Sequence, residues 1–259
     1  MLALILNPLA GFCAYFGQVA QLAIETFGSI LRGRIRLMLT LRQISQIGFG
    51  TQMVVIVTGA FTGAVFTAQT FFQFAALNME TAVGPVISVS MCRELGPVLA
   101  GLMVAGRTGA AISAEIGTMK VTQQIDALRA LAVNPVDYLV VPRAIGMLVS
   151  LPLLVGECIF FGIAASYLMA TQILGVTSAY FLMNMWKFTV LEDIVMGVSK
   201  AFIFALIIVF IACREGLYAH NGAVGVGRAT TQAVVIGSLA VLIANFFLTL
   251  ALNIVFPAG

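Results

Sequence analysis

The longest uncharged stretch of this sequence runs from Gln43 to Met79, 37 residues without an Asp, Glu, Lys or Arg. A helix needs about 20 mostly apolar residues to cross a bilayer. Four further apolar stretches follow, and the whole chain is 61% hydrophobic and only 9% charged. A soluble domain carries roughly 25% charged residues and could not bury so much apolar surface. The sequence therefore predicts an all-α integral membrane protein, and it excludes a soluble enzyme, a nucleic-acid module and a disulfide scaffold.

Five segments are predicted to span the membrane. The second, third and fourth contain charged residues, whereas the fifth contains none. Because five is an odd number, the two ends of this set lie on opposite sides of the membrane. The predicted spans are Ile47–Phe74, Gly84–Gly106, Ala144–Gln172, Val195–Cys213 and Thr231–Phe256.

Basic residues outside the spans are strongly biased to one side. Ten of them share that side, and only Lys187 lies on the other. Basic loops face the cytoplasm, so the C-terminus is predicted to lie outside. The ten are Arg32, Arg34, Arg36, Arg42, Arg107, Lys120, Arg129, Arg143, Arg214 and Arg228.

Residues 1–45 form a separate N-terminal segment. Its uncharged part, Met1–Ile24, is long enough to be a sixth span, but Asn7-Pro8 and several Gly and Gln residues weaken a lipid-buried helix. An amphipathic helix lying in the membrane interface, followed by the arginine cluster, fits better. Both interpretations remain open from the residues alone.

Four charged residues lie inside the predicted spans at one estimated depth. Arg93, Glu157 and Lys200 are each 13 residues from the inner end of their span, which is roughly 20 Å at 1.5 Å per residue, and Glu94 is one residue deeper. Charges in a membrane usually face protein or a cavity and have a partner. We expect Glu157 and Lys200 to form an intramembrane ion pair. The layer as a whole could lock helices together, line a substrate cavity or relay protons.

Small residues recur every four positions from the second span onward, a pattern that lets helix backbones approach closely. It is compatible with packing inside one subunit and with a homodimer seam. The stripe comprises Gly101, Ala105, Gly109, Ser113 and Gly117, and Gly59 and Gly63 repeat the spacing in the first span.

The loop after the second span is predicted to form one amphipathic helix, Glu115–Leu131. Its polar residues fall on one face at helical spacing, and apolar residues occupy the other. Asp126 and Arg129 are spaced as helical partners, and Asn134-Pro135 is expected to end the helix. The helix either lies on the membrane or docks a soluble partner. The polar face comprises Glu115, Thr118, Thr122, Asp126 and Arg129.

Neither a metal site nor a catalytic site is predicted. The chain has four widely spaced cysteines and one histidine, His220, without metal-ligand spacing. We expect the cysteines to be small buried residues and His220 to lie on a loop surface. Cysteines occur at Cys13, Cys92, Cys158 and Cys213.

A glycine-rich segment after the fourth span superficially matches a phosphate-binding loop. Gly222 and Gly227 have the required spacing, but Arg228 replaces the lysine, and Ala229 replaces the Ser or Thr that would bind Mg²⁺. We therefore expect this chain to bind no nucleotide.

Five motifs, in order, resemble the MlaE/YrbE permease family. The similarity covers residues 46–259. Residues 1–45 share with the family only their general apolar and basic composition, without a matching motif. The motifs are Arg93-Glu94-Leu-Gly-Pro97, Ala105-Gly-Arg-Thr-Gly-Ala-Ala111, Ala114-Glu-Ile-Gly-Thr-Met119, Gln124-Ile-Asp-Ala-Leu128 and Gly225-Val-Gly-Arg-Ala-Thr-Thr231.

The resemblance implies the membrane subunit of an ABC-type phospholipid transporter in a Gram-negative inner membrane. It implies a homodimer, and the orientation predicted from the basic residues places the N-terminus of each copy on the cytoplasmic side and the C-terminus in the periplasm. The implied partners are a cytoplasmic ATPase, which would hold ATP and Mg²⁺, a periplasmic MCE-domain protein and, in some systems, a STAS-domain protein. This chain would itself be non-catalytic and carry no cofactor, and the system would contribute to outer-membrane lipid asymmetry.

The resemblance also assigns residues. Helix Glu115–Leu131 matches the family's coupling helix, and the family's interfacial first helix agrees with five spans. Arg93 is the group best suited to a phosphate. Two rival functions are an ion-coupled transporter using Glu157 and Lys200, and a structural anchor for an MCE protein. The implied lipid-binding residues are Phe66, Gln73, Phe74, Leu77, Arg93, Glu94 and Leu95.

Overall fold

The computed structural model describes residues 2–33, 35–77 and 79–255, and over these residues the chain is helical without a β-strand. The helices are α1 (Leu2–Leu31), α2 (Leu37–Ala75), α3 (Val83–Val121), α4 (Gln124–Ala130), α5 (Val136–Ile173), α6 (Ser178–Phe188), α7 (Leu191–Leu217) and α8 (Gly222–Val255). Five of them, α2, α3, α5, α7 and α8, are long and apolar enough to cross a membrane, which confirms the predicted fold class.

Each spanning helix extends beyond the apolar segment that predicted it. Two π-helical turns interrupt α3, of which Met91–Leu95 contains the Arg93-Glu94 motif, and α5 begins and ends with one such turn. Such turns are frequent at functional sites. Met1 at the start of the N-terminal segment, Arg34 of the arginine cluster, and residues 256–259 at the end of the last span and of the matched region lie outside the described residues.

The chain forms two compact units. The first comprises the described residues of Met1–Ser45, Ala105–Met147 and Leu206–Gly237, and the second those of Gln46–Val104, Leu148–Ala205 and Ser238–Gly259.

In the first unit, α1 is attached to α7 by Arg214. The guanidinium of Arg214 donates to the side-chain oxygen of Gln18 and to the carboxylate of Glu215. It also lies over the rings of Tyr15 and Tyr218, 4.1 and 4.9 Å from their centroids. Burial and the nearby Glu215 carboxylate raise the pKa of Tyr15.

Helix α1 also contacts the start of α5 and the last turns of α7. Ser29 donates to Asp137 at the start of α5, and the rings of Phe27 and Phe210 are 6.1 Å apart. Helix α1 is not among the five helices apolar enough to span. Its contacts with the ends of two spans, beside the basic segments, support an interfacial position rather than a sixth span.

The small-residue stripe of α3 packs within the chain. A Cβ at Gly101 would lie 3.3 Å from Phe204 and 3.4 Å from Val241, and one at Gly117 would lie 3.3 Å from Ala219. These neighbours belong to α7, to α8 and to the turn between them. Gly101 and Gly117 therefore pack within one subunit, whereas the homodimer seam stays a prediction that these contacts do not test.

The predicted single helix Glu115–Leu131 is wrong. Helix α3 continues to Val121, Gln123 adopts a left-handed φ of 61°, and α4 starts at Gln124. Neither Gly nor Pro signals this break in the sequence. The hydroxyl of Thr122 donates to the backbone oxygen of Thr118 at 2.7 Å, which closes the last turn of α3.

Helix α4 ends before the Asn134-Pro135 pair that was expected to stop it. Ala132 has a left-handed φ of 59°. Its N–H donates to the carbonyl oxygen of Arg129, and the N–H of Val133 donates to the carbonyl oxygen of Leu128. This is the Schellman arrangement of a helix end. The side-chain oxygen of Asn134 instead accepts a hydrogen bond from the backbone N–H of Val136 at 3.0 Å, at the start of α5.

The remaining sequence expectations have mixed outcomes. Cys92, Cys158 and Cys213 are buried as predicted, but Cys13 is exposed. His220 is exposed, as predicted. The glycine-rich segment starting at residue 222 is not a loop, because it forms the first turns of α8.

Candidate functional site

In the second unit, a groove of about 620 Å³ lies between α2 and α3. Apolar side chains make most of its wall, and Glu94 is the charged residue that faces it. The side chain of Glu94 is 35% exposed. The groove therefore combines a surface for hydrocarbon with one carboxylate. Its lining residues are Phe61, Thr62, Val65, Phe66, Gln69, Ser90, Glu94 and Leu95.

Three residues of the predicted lipid site line this groove. Phe66 comes from α2, and Glu94 and Leu95 come from the π turn of α3. Phe66 and Leu95 also pack, together with Phe74, against the buried cluster at the start of α3. Phe74 thus supports the groove from the core without lining it.

The other three predicted residues are placed elsewhere. Gln73 and Leu77 are exposed near the end of α2, Leu77 to 64%. Arg93 is buried and forms a salt bridge with Asp193. The expectation that Arg93 meets a phosphate at the polar end of the pocket therefore does not match this structure, in which Glu94 holds that position.

The π turn leaves carbonyl groups of α3 without their usual helical partners. The N–H of Gly96 bonds to Met91, five residues back, rather than to Cys92. Pro97 has no N–H, so the carbonyl of Arg93 loses its partner as well. A carbonyl buried in a membrane protein has to find another donor.

Helix α7 packs against this turn through two residues on one face, and one of them supplies a new donor. Lys200 donates from its ammonium group to the carbonyl oxygen of Arg93 at 2.9 Å. One turn earlier, a Cβ at Gly197 would lie 2.2 Å from the carbonyl oxygen of Cys92. Only glycine allows α7 to approach the π turn this closely.

Lys200 also holds the groove carboxylate. Its ammonium group is fully buried and lies 2.8 Å from both Glu94 and Thr249, so its three protons have three acceptors. Glu94 accepts further hydrogen bonds from Asn245 at 3.0 Å and from Thr249 at 2.9 Å. The carboxylate that faces the groove is therefore fixed from behind by α7 and α8.

A second ion pair joins the same helices. The guanidinium of Arg93 bonds to Asp193, which is 1% exposed, and to Asn253 at 3.3 Å. Asp193 also accepts the N–H of Val190 at the start of α7, the position of an N3 residue in a capping box. Arg93–Asp193 and Glu94–Lys200 together sum to zero charge.

The contribution of α8 to this network was not predicted from the sequence. Its signal was present, since Asn245, Thr249 and Asn253 recur every four residues along a span without charges. That spacing places three polar side chains on one helical face.

The predicted ion pair between Glu157 and Lys200 is wrong. Lys200 pairs with Glu94, and Glu157 instead accepts a hydrogen bond from Gln52 at 3.1 Å. Equal depth does not bring two residues together, because depth leaves open which side of its helix each residue occupies. Glu157 lies on α5, facing α2, whereas Lys200 faces α3.

In the first unit, the predicted polar face is exposed across the break between α3 and α4. Asp126 contacts Arg129 at 3.3 Å, which confirms their pairing, and Lys120 at 3.5 Å. Glu115 is bound by the buried Arg143 at 2.6 Å. Glu115 is thus tied to α5, whereas Thr118, Thr122, Asp126 and Arg129 face outward.

One glycine of the last motif has a structural role at the start of α8. Asn221 and Gly222 both have a φ of 64°. A Cβ at Gly225 would lie 1.4 Å from the carbonyl oxygen of His220, whereas one at Gly227 would meet nothing within 4 Å. Gly225 therefore permits the tight entry into α8.

A family model described as Permease MlaE matches residues 40–251. A probable ABC transporter permease protein of Rickettsia conorii is 42% identical over 238 residues, which are 92% of each chain. One of Synechocystis is 42% identical over 225 residues, 87% of this chain and 86% of the other. The Arabidopsis thaliana protein called trigalactosyldiacylglycerol 1, chloroplastic, is 37% identical over 226 residues, 85% of this chain and 63% of that protein.

Proposed function

The chain belongs to the MlaE permease family and is the permease component of an ABC transporter, and we propose that its cargo is phospholipid. In this proposal it moves phospholipid between a Gram-negative inner membrane and a periplasmic MCE-domain protein, and so contributes to outer-membrane lipid asymmetry. The Arabidopsis relative, which is named after a galactolipid, supports a lipid cargo.

The groove between α2 and α3 is the observation that carries the proposal. An acyl chain would lie against Phe61, Val65 and Phe66, and polar atoms near the headgroup would meet Glu94. The groove has both the apolar wall and the few placed polar groups that are typical of a ligand site. Because Lys200 already neutralises Glu94, the site would accept a lipid without leaving an unpaired charge in the membrane.

We propose further that two copies of the chain close this groove. Phe61 and Val65 are 70% and 60% exposed, which leaves one side of the groove to be covered by the second copy. The dimer would lie in the inner membrane with the N-terminus cytoplasmic and the C-terminus periplasmic. An MCE-domain protein would receive or deliver the lipid on the periplasmic side.

Energy would come from a cytoplasmic ATPase that holds ATP and Mg²⁺, while this chain contributes no catalytic group and no cofactor. The exposed face of α4 and the end of α3 would dock that ATPase, with a STAS-domain protein bound to it in some systems. The ion-coupled alternative loses its main support because Glu157 and Lys200 do not pair. The structural-anchor alternative gives no reason for a groove.

Photo-crosslinking in membranes tests the cargo. A photo-crosslinking amino acid at Val65, which is 60% exposed and lines the groove, should capture phospholipid more strongly than one at Phe247, which is 62% exposed on α8 outside this groove. Adding the ATPase with ATP should change the yield at Val65 only. Equal, ATP-independent labelling at both positions would mean contact with bulk lipid and would contradict the proposal.

A further inference from the structure

Helix α6 is attached to the start of α3 by one of its faces. Phe181 is 2% exposed and packs against Gly84. Asn184 donates to the backbone oxygen of Thr81 at 3.2 Å, and just after the helix the hydroxyl of Thr189 lies 2.5 Å from that of Ser88. These contacts fix α6 to the segment that leads into the groove-forming part of α3.

The opposite face of α6 is exposed but apolar. Tyr180, Met183 and Trp186 are 54%, 59% and 75% exposed, and Leu182 is 38% exposed. Lys187 is the only charged residue of this 11-residue helix. A helix on a water-facing surface normally shows polar side chains on its exposed side, so water is a poor match for this face.

The position of α6 in the chain indicates what covers this face. It connects two spanning helices, and the residues at their adjoining ends, Ile173 of α5 and Leu191 of α7, are 69% and 74% exposed. Exposed apolar side chains therefore occur on both spans where they adjoin α6, as well as on α6 itself. Trp and Tyr are enriched where membrane meets water, and a lysine there can extend its ammonium group to the aqueous side.

We propose that Tyr180, Met183 and Trp186 form a membrane-contact surface, which lies in the headgroup region on the side where α5 ends and α7 begins. The partner is a lipid surface rather than a protein. Through Phe181 and Asn184, this contact would hold the start of α3 at a fixed depth beside the groove. The inference depends on the spanning topology alone and does not require a particular cargo.

Trp186 is the only tryptophan of the chain, so its fluorescence reports on this face directly. The full chain would be reconstituted in bilayers containing phosphatidylglycerol and phosphatidylcholine brominated either near the carbonyl or near the end of the acyl chain. The shallow bromines should reduce Trp186 fluorescence about twofold and more than the deep ones, as expected for a residue at the interface. Acrylamide in the aqueous phase should have little effect.

Two relocated tryptophans provide the controls, both in a Trp186→Phe background. Phe247→Trp, on the last span, should respond more to the deep bromines. Thr122→Trp, on the exposed polar face, should respond to acrylamide and not to brominated lipid. If Trp186 behaves like either control, the interfacial assignment is wrong. Loss of bromine quenching when an MCE-domain protein is bound would show that this face is a protein interface and would also overturn the proposal.

Discussion

The ammonium nitrogen of Lys200 lies 2.9 Å from the carbonyl oxygen of Arg93, the carbonyl that Pro97 leaves without a helical partner. The same ammonium group lies 2.8 Å from the carboxylate of Glu94, which faces the groove. One buried cation thus donates to the free backbone carbonyl and holds the side chain of Glu94 in place. The π turn of α3 and the facing surface of α7 therefore act as one structural element.

The first prediction concerns the partner of Lys200. Removing the cation with Lys200→Met leaves Glu94 as an incompletely compensated charge in the membrane, which costs about 3–5 kcal/mol. We expect a large loss of folded protein by size-exclusion chromatography of detergent-extracted membranes. Adding Glu94→Gln should restore part of that yield, because it removes the uncompensated charge.

Glu157→Gln provides the matched control for this cycle. Glu157 interacts with Gln52 and not with Lys200, so Glu157→Gln should not rescue Lys200→Met. If it rescues as well as Glu94→Gln does, the pairing described here is incorrect, and the pair predicted from depth is the one present in the membrane.

The second prediction concerns the approach of α7 to the π turn. In Gly197→Ala the new Cβ would lie 2.2 Å from the carbonyl oxygen of Cys92. Relieving this clash would require a shift of the backbone of α3 or α7. Overpacking of this kind costs about 1–3 kcal/mol, so the thermal unfolding midpoint in detergent should fall. Gly156→Ala, where the Cβ meets nothing within 4 Å, should leave the midpoint unchanged or higher. A similar midpoint for both variants would contradict the close approach.

The sequence predicts the membrane spans well, but it does not predict which charged residues inside the spans pair with each other. The reason is physical. Span number depends on apolar length, which can be read directly. Partner choice depends on which side of each helix a residue occupies, and the π turn at Met91–Leu95 shifts that side within α3. Estimating depth from residue numbers therefore predicted that charged residues of opposite sign lie together in the membrane. It named Glu157 as one of the two acidic residues, whereas the acidic residues of the observed network are Glu94 and Asp193. The break at Gln123 was likewise unpredictable, because a left-handed glutamine has no sequence signal.

The third prediction separates two glycines of one motif. Gly225→Ala places a Cβ 1.4 Å from the carbonyl oxygen of His220, whereas Gly227→Ala meets nothing within 4 Å. We expect Gly225→Ala to reduce folded yield strongly and Gly227→Ala to be tolerated, since alanine favours a helix by about 1 kcal/mol over glycine. If the motif instead bound a phosphate through flexible glycines, both substitutions would preserve folding and impair function. Folded yield and ATPase activity of the assembled complex, measured together, distinguish these outcomes.

The fourth prediction concerns energy transfer from the proposed ATPase. Asp126 is exposed and lies between Lys120 and Arg129, so Asp126→Arg would place three cations together on the proposed docking face. Exposed ion pairs contribute little to stability, and we expect normal expression and membrane insertion. The variant should lose its ATPase on purification, or keep it with hydrolysis no longer coupled to lipid transfer.

Glu192→Arg, the same kind of charge reversal at the exposed start of α7, is the matched control and should retain the ATPase. If Asp126→Arg assembles and transports normally, this face does not dock the ATPase, and α4 lies on the membrane surface instead.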